Sequence, residues 1–284
     1  MNKNRKALLI FYAVSLPLSA LLEILCCITQ DTLFVLIAMW VPGITAIILA
    51  SKMYKGERIL GLGGKFKIRY ILIAMIIPLI YLTISYAITW LILKDPLAKP
   101  ADVAKYLLSG MKIDSNTMAT IILAAYFVPG IISSAMSAAG EEIGWRGFAY
   151  PLLEKEFGRV KACLINGIIW ALWHFPMMIG GAYQASVNMV YGLISFVVCV
   201  MLMTVIFCWT RSVSASVWPA IMLHAVHNHV DQIYLQPLST DERVPYFAGE
   251  QGFITIILIA VIVAAVIVSW RKTVGHPGDE ENIT

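Results

Sequence analysis

Six polar residues in three short stretches have the types and spacing to do chemistry. Glu141, Glu142 and Arg146 lie in Gly140-Glu141-Glu142-Ile143-Gly144-Trp145-Arg146, between apolar runs at 118–139 and 162–179. His174 closes Trp170-Ala-Leu-Trp-His, and His224 and Asn228 lie in His224-Ala-Val-His-Asn-His. A carboxylate in a poorly solvated cavity can take a proton from water and return it later. A neutral imidazole can hold that water or donate to a developing oxyanion. An asparagine amide is a donor that stays neutral at every relevant pH, which suits an oxyanion hole. Arg146 follows Glu142 by four residues, the spacing of a helical ion pair, and that pairing leaves Glu141 as the more basic carboxylate. Together these groups suffice to hydrolyse an amide. They also contain zinc-ligand types, so a divalent metal such as zinc stays open, although the HExxH pattern is absent.

The elements that must position these groups are membrane helices. Of 284 residues, 60% are hydrophobic and 13% charged, and the mean hydropathy is +0.79. A charged side chain at the centre of a membrane helix costs about 2.5–3.5 kcal/mol on translocon scales. Three such groups within six residues therefore call for aqueous access, mutual pairing or chemistry. Stretches of ~20 mostly apolar residues fall at 7–28, 33–51, 70–93, 118–139, 161–180, 187–209, 213–231 and 253–270. The expected architecture is all-α, with about eight spans in one integral membrane domain over 1–284; the stretch 213–231 is the least apolar.

Lysine and arginine placement sets the expected orientation. Lys3, Arg5 and Lys6 precede the first span, and Lys52, Lys55, Arg58, Lys65, Lys67 and Arg69 follow the second. Alternation then puts both termini in the cytoplasm. The lysines at 94, 99, 105 and 112 run against this pattern, and Val103–Met111 reads as a short amphipathic helix on the membrane surface. The basic start and first apolar run read as a retained span, and the tail 275–284 as a polar, disordered segment. Five cysteines lie in apolar runs without a CxxC pair and read as small buried hydrophobes. No aromatic-interleaved basic patch points to nucleic acid; the expected partners are the lipid bilayer and a membrane-associated protein or peptide.

Each polar group also has a plainer reading. A Glu–Arg pair at a helix end is commonly an interfacial salt bridge, a membrane histidine commonly bonds a neighbouring helix, and Asn228 alone would be helix–helix glue. Trp145, Trp170, Trp173 and Trp218 read as interface anchors or cavity walls. Glu23, in the first span, and His227 receive no role. A proton-coupled transporter would use the same acids and histidines as relays, though no internal repeat is visible.

The order Glu141-Glu142-xxx-Arg146, Trp170-xxx-His174, His224-xxx-Asn228 resembles the three motifs of the CPBP intramembrane proteases, a family that includes the CAAX prenyl endopeptidases and the bacterial Abi proteins. The resemblance covers about 130–230, a CAAX-protease-like core, and is strengthened by Gly-Phe-Ala-Tyr-Pro-Leu-Leu-Glu after the first motif. It implies an endopeptidase in which Glu141 activates water held by His174, His224 and Asn228 stabilise the oxyanion, and Glu142 and Arg146 support the first motif. Members have been described both as metalloproteases and as metal-free glutamate proteases. A non-catalytic immunity or scaffold protein on the same fold is the alternative. Trp170 stands where phenylalanine is more usual, and the exchange is expected to reshape the cavity wall more than the chemistry. One tension needs resolving: a straight helix from Met118 carries Glu141 roughly 34 Å, beyond the mid-membrane depth of the histidines. A kink at Pro129-Gly130 and a cavity open to the cytoplasm are the expected remedies.

Overall fold

A computed structural model of the chain describes residues 1–63, 67–107, 113 and 115–273. Helices account for its regular structure, and no strand occurs among the described residues. They are α1 (Lys3–Thr29), α2 (Leu33–Met53), α3 (Ile68–Leu93), α4 (Pro100–Leu107), α5 (Asn116–Glu142), α6 (Tyr150–Phe157), α7 (Arg159–Trp173), α8 (Phe175–Ile179), α9 (Met189–Ser214), α10 (Trp218–Asn228), α11 (Gln236–Leu238), α12 (Val244–Phe247) and α13 (Phe253–Thr273). Two π-helical turns, Ile143–Ala149 and His229–Leu235, join α5 to α6 and α10 to α11.

Seven helical stretches are long and apolar enough to cross a membrane. They coincide with seven of the eight expected spans. Their exposed Leu, Ile and Val side chains point away from the bundle, as lipid-facing residues do, so the chain is an integral multi-pass membrane protein. The eighth expected span, 213–231, is different. Its helix begins only at Trp218, where Pro219 takes a first-turn position, and it is buried inside the bundle against α3, α5 and α9. Its three histidines, at 5%, 2% and 1% exposure, are therefore protein-facing rather than lipid-facing.

Helix ends follow local chemistry. Asn2 caps α1 by accepting from Arg5 N at 2.9 Å, and Asn188 caps α9 by accepting from Val190 N at 3.1 Å. Gln30, Lys94 and Ala215 end α1, α3 and α9 in the left-handed region. Of the expected helix at 103–111, the described part is α4, which starts earlier at Pro100 and buries Ala101, Val103 and Ala104; 108–112 lie outside the described residues, as do Lys65 and the tail 275–284. All five cysteines are free and four are buried.

What fixes the first motif in space is the contact of α2 with α5. A Cβ on Gly140 would lie 2.6 Å from Met39 O, and one on Gly43 2.5 Å from Gly140 O. Only hydrogen at both positions lets the two backbones approach this closely, the small-residue packing that membrane helices favour. The motif is thus not a turn between spans. Helix α5 runs through Pro129 to Glu142, and the π-turn carries the chain on to Phe157. Glu141 and Glu142 are 2% and 0% exposed.

Candidate active site

Glu142 is the hub of the first motif. Its Oε1 accepts from Arg146 Nη1 at 3.0 Å and from His224 Nδ1 at 2.9 Å. The Arg146 guanidinium also donates to Thr204 Oγ1 at 3.1 Å and lies 3.9 Å from the Trp170 ring centroid and 4.3 Å from that of Phe207. A buried guanidinium sandwiched between aromatic faces and paired with a carboxylate is held rigidly. Side chains add to the bonds of the π-turn: Trp145 O, which accepts from Tyr150 N–H, also accepts from Asn166 at 3.1 Å, and Arg211 donates to Arg146 O at 3.1 Å. Such π-segments are frequent at functional sites.

Trp170 bonds two of the candidate groups. Its indole N–H donates to Glu141 Oε2 at 2.8 Å, and its backbone carbonyl accepts from His174 Nδ1 at 2.9 Å. The exchange at this position is expected from the sequence to reshape the cavity wall more than the chemistry; the indole also makes a bond to Glu141 that phenylalanine, with no donor, would lack. The indole meets the His174 ring edge-on, at 5.7 Å and 63°. The bond to a carbonyl puts a proton on His174 Nδ1, which in the neutral ring leaves Nε2 with its lone pair. His174 also stacks on Tyr183 at 5.8 Å.

Glu141, His174, His224 and Asn228 line one cavity of about 180 Å³, walled by Trp170, Trp173 and Phe196. The four motif residues expected to act on substrate thus line one cavity, and Glu142 and Arg146 bond behind them. The Asn228 amide, half-buried on the wall, makes no hydrogen bond to other described residues and is free for a ligand. Of the other tryptophans, Trp145 is buried in the core beside Phe11, Trp173 is a cavity wall, and Trp218, 39% exposed, fits an interface anchor. Glu23 is buried with neither oxygen hydrogen-bonded.

The residues first weighed as metal ligands do not gather as a ligand set. Among the described residues the one group whose ligand atoms all lie within 4.8 Å of each other is His227, Asp231 and Glu250. Asp231 and Glu250 were not anticipated as site residues. Each falls in sequence at the edge of the loop 231–252, where an acid is unremarkable, and only the fold brings them to His227.

Comparison with known proteins bears on residues 116–230, which match a family model described as Type II CAAX prenyl endopeptidase Rce1-like. CAAX prenyl protease 2 of Methanococcus maripaludis is 36% identical over 87 residues, 29% of this chain. That alignment spans 32% of the archaeal protein, about a third of its length. The matched segment contains Glu141, Glu142, Arg146, His174, His224 and Asn228.

Proposed function

Because residues 116–230 match the Rce1-like CAAX endopeptidase model and carry all three motifs, we propose that the chain is an intramembrane endopeptidase using glutamate-activated water, with 130–230 as the catalytic core and both termini cytoplasmic. The observation that carries this reading is that Trp170 bonds both Glu141 and His174, which line one cavity. Water in the cavity can give one hydrogen bond to Glu141 Oε1 and the other to His174 Nε2, which leaves an oxygen lone pair free to attack. Glu141 takes the proton as the oxygen adds to the scissile carbonyl, then delivers it to the leaving amine.

The tetrahedral oxyanion needs donors. Asn228 Nδ2 is one. His224 is the second when doubly protonated, since its Nδ1–H is committed to Glu142 and only a proton on Nε2 can reach the substrate. Charge supports that state: Glu141 and Glu142 against Arg146 leave one net negative charge in a buried site, and an imidazolium cancels it. After Glu141 protonates, the positive His224 faces the oxyanion, so charge moves over a short path between preorganised groups.

The substrate class is a C-terminal segment of a membrane-anchored protein, with CAAX-type peptides the first to try. The test is hydrolysis of lipid-anchored peptides by purified wild type, Glu141→Gln and His174→Ala. The expected result is cleavage by wild type and a loss on the order of 10²–10⁴-fold in Glu141→Gln. Cleavage undiminished in both variants would place the chemistry elsewhere.

A further inference from the structure

His227, Asp231 and Glu250 are buried, at 2%, 1% and 6% exposure, and none of the six catalytic candidates is among them. Each has one polar atom held from outside by tyrosine. Tyr81 Oη bonds His227 Nδ1, Tyr86 Oη donates to Asp231 Oδ1 at 2.7 Å, and Tyr183 Oη donates to Glu250 Oε2, which also accepts from Gln184 at 2.9 Å. The inner atoms are left to face one another: His227 Nε2 donates to Glu250 Oε1 at 3.0 Å, and the three residues offer ligand atoms mutually within 4.8 Å. This is the organisation of a metal site, in which outer partners hold the orientation of each ligand.

Charge points the same way. Two carboxylates and one imidazole carry at least one net negative charge, and no lysine or arginine pairs with Asp231 or Glu250 among the described residues. A divalent cation on neutral His227 and two carboxylates brings the total to zero. Gly249, at φ +80°, makes the turn that delivers Glu250; a Cβ there would lie 3.1 Å from Tyr86 Oη and 3.5 Å from Asp231 Oδ1. Asp231 lines a second cavity of about 420 Å³ formed with the 239–249 loop, while His227 and Glu250 line the catalytic one. The cluster thus lies between the two cavities, one of them on the loop side.

We propose that His227, Asp231 and Glu250 bind one divalent transition-metal cation, of the zinc or manganese type, beside the catalytic cavity and separate from its reactive residues. One imidazole nitrogen and two carboxylate oxygens suit such ions, and three protein ligands leave coordination positions for water. When the cation takes Nε2, the imidazole proton resides on Nδ1, where the Tyr81 hydroxyl accepts as readily as it donates. The cation ties α10 to the turn preceding α13, and through the tyrosines to α3 and the 180–188 loop. The inference stands whether or not the chain is a peptidase.

The test is metal uptake by the full chain in detergent, stripped with chelator and equilibrated with Zn²⁺ or Mn²⁺. Elemental analysis is expected to give one equivalent per chain in wild type and in Glu141→Gln, with affinity at least 10-fold lower in Asp231→Asn and Glu250→Gln. Absorption spectroscopy at the zinc edge of wild type, which does not depend on any variant folding, is expected to show one imidazole and oxygen ligands. No uptake by wild type, two imidazoles in the spectrum, or loss of the ion in Glu141→Gln would each overturn the proposal. No uptake would mean that the cluster is a proton-holding network, and the other two would move the ion to the catalytic motif.

Discussion

One turn of α10 separates two polar clusters that solve the same problem differently. At His224 the carboxylates Glu141 and Glu142 have a built-in counter-charge, Arg146, and the reactive atoms left over face a cavity. At His227 the carboxylates Asp231 and Glu250 have no guanidinium or ammonium partner among the described residues; two tyrosines hold their outer atoms and a third bonds His227. In the apolar interior of a bundle, uncompensated carboxylates are expensive. The first region meets that cost with a permanent cation from the chain, and by the inference above the second does so with an exchangeable one. A fixed counter-charge suits a site that must titrate during a reaction cycle. An exchangeable one suits a clamp.

The largest effect is expected where the fixed counter-charge loses its partner. Glu142→Leu leaves Arg146 buried and unpaired, and should cost roughly 3–5 kcal/mol of stability, read as the shift in thermal or denaturant unfolding in detergent. A change under about 1 kcal/mol would mean that the Trp170 and Phe207 faces alone suffice for the guanidinium. Next comes Asn228→Ala, which removes a neutral donor that bonds nothing else among the described residues. It should leave unfolding unchanged and lower kcat by about 10²–10³-fold, the usual loss for one oxyanion donor. Metal uptake should be unaffected. A variant that loses both activity and metal would show that the two clusters are one site.

Trp170→Phe tests a finer point, with an expected effect near 10-fold. It keeps the aromatic wall and the backbone carbonyl for His174, but removes the 2.8 Å indole bond to Glu141. Because that bond positions Glu141, the proposed base, rather than the substrate, kcat should fall about 10-fold, the cost of roughly 1.4 kcal/mol, with KM nearly constant. A rise in KM instead would return Trp170 to the role of a cavity wall.

That distinction also marks the limit of the sequence. Glu141, Arg146, His174 and Asn228 stand out because a polar residue in an apolar run has few reasons to be there, and their order carries the family resemblance. Seven spans are readable for the same reason. The indole N–H of Trp170 is not readable, since residue type announces a ring and says nothing of where its one donor points. Asp231 and Glu250 are harder still: both border a polar loop, and their meeting with His227 depends on the positive φ of Gly249 and on tyrosines 67 or more positions from the residues they bond. The depth mismatch along α5 illustrates a third kind of gap. Helix α5 does not stop at the end of its apolar run but continues buried through Glu142 and a π-turn, held against α2 by paired glycines whose role emerges only when the partner backbone is in place.

The smallest effect tests whether the second region is separable through its loop alone. Asp95, just beyond α3, holds that loop: it accepts from Thr240 Oγ1 at 2.6 Å and from the backbone N–H groups of Thr240 and Asp241 at 3.0 Å each. Slight burial acts to raise its carboxyl pKa, but these bonds and one from Leu97 outweigh it and hold the group below the usual aspartate range. The folded-state pKa is therefore depressed, so the stabilisation is fully present above the unfolded value, near 3.9, and is lost as pH falls through the folded value. Asp95→Asn should remove that pH dependence and cost about 1 kcal/mol at neutral pH, given solvent screening of a partly exposed group. Loosening the loop should weaken metal uptake less than Asp231→Asn does and leave peptide hydrolysis unchanged. Equal losses in both readouts would mean that the loop reports to the catalytic cavity directly, and that the cavity wall formed by Glu250 and Tyr183 is the path.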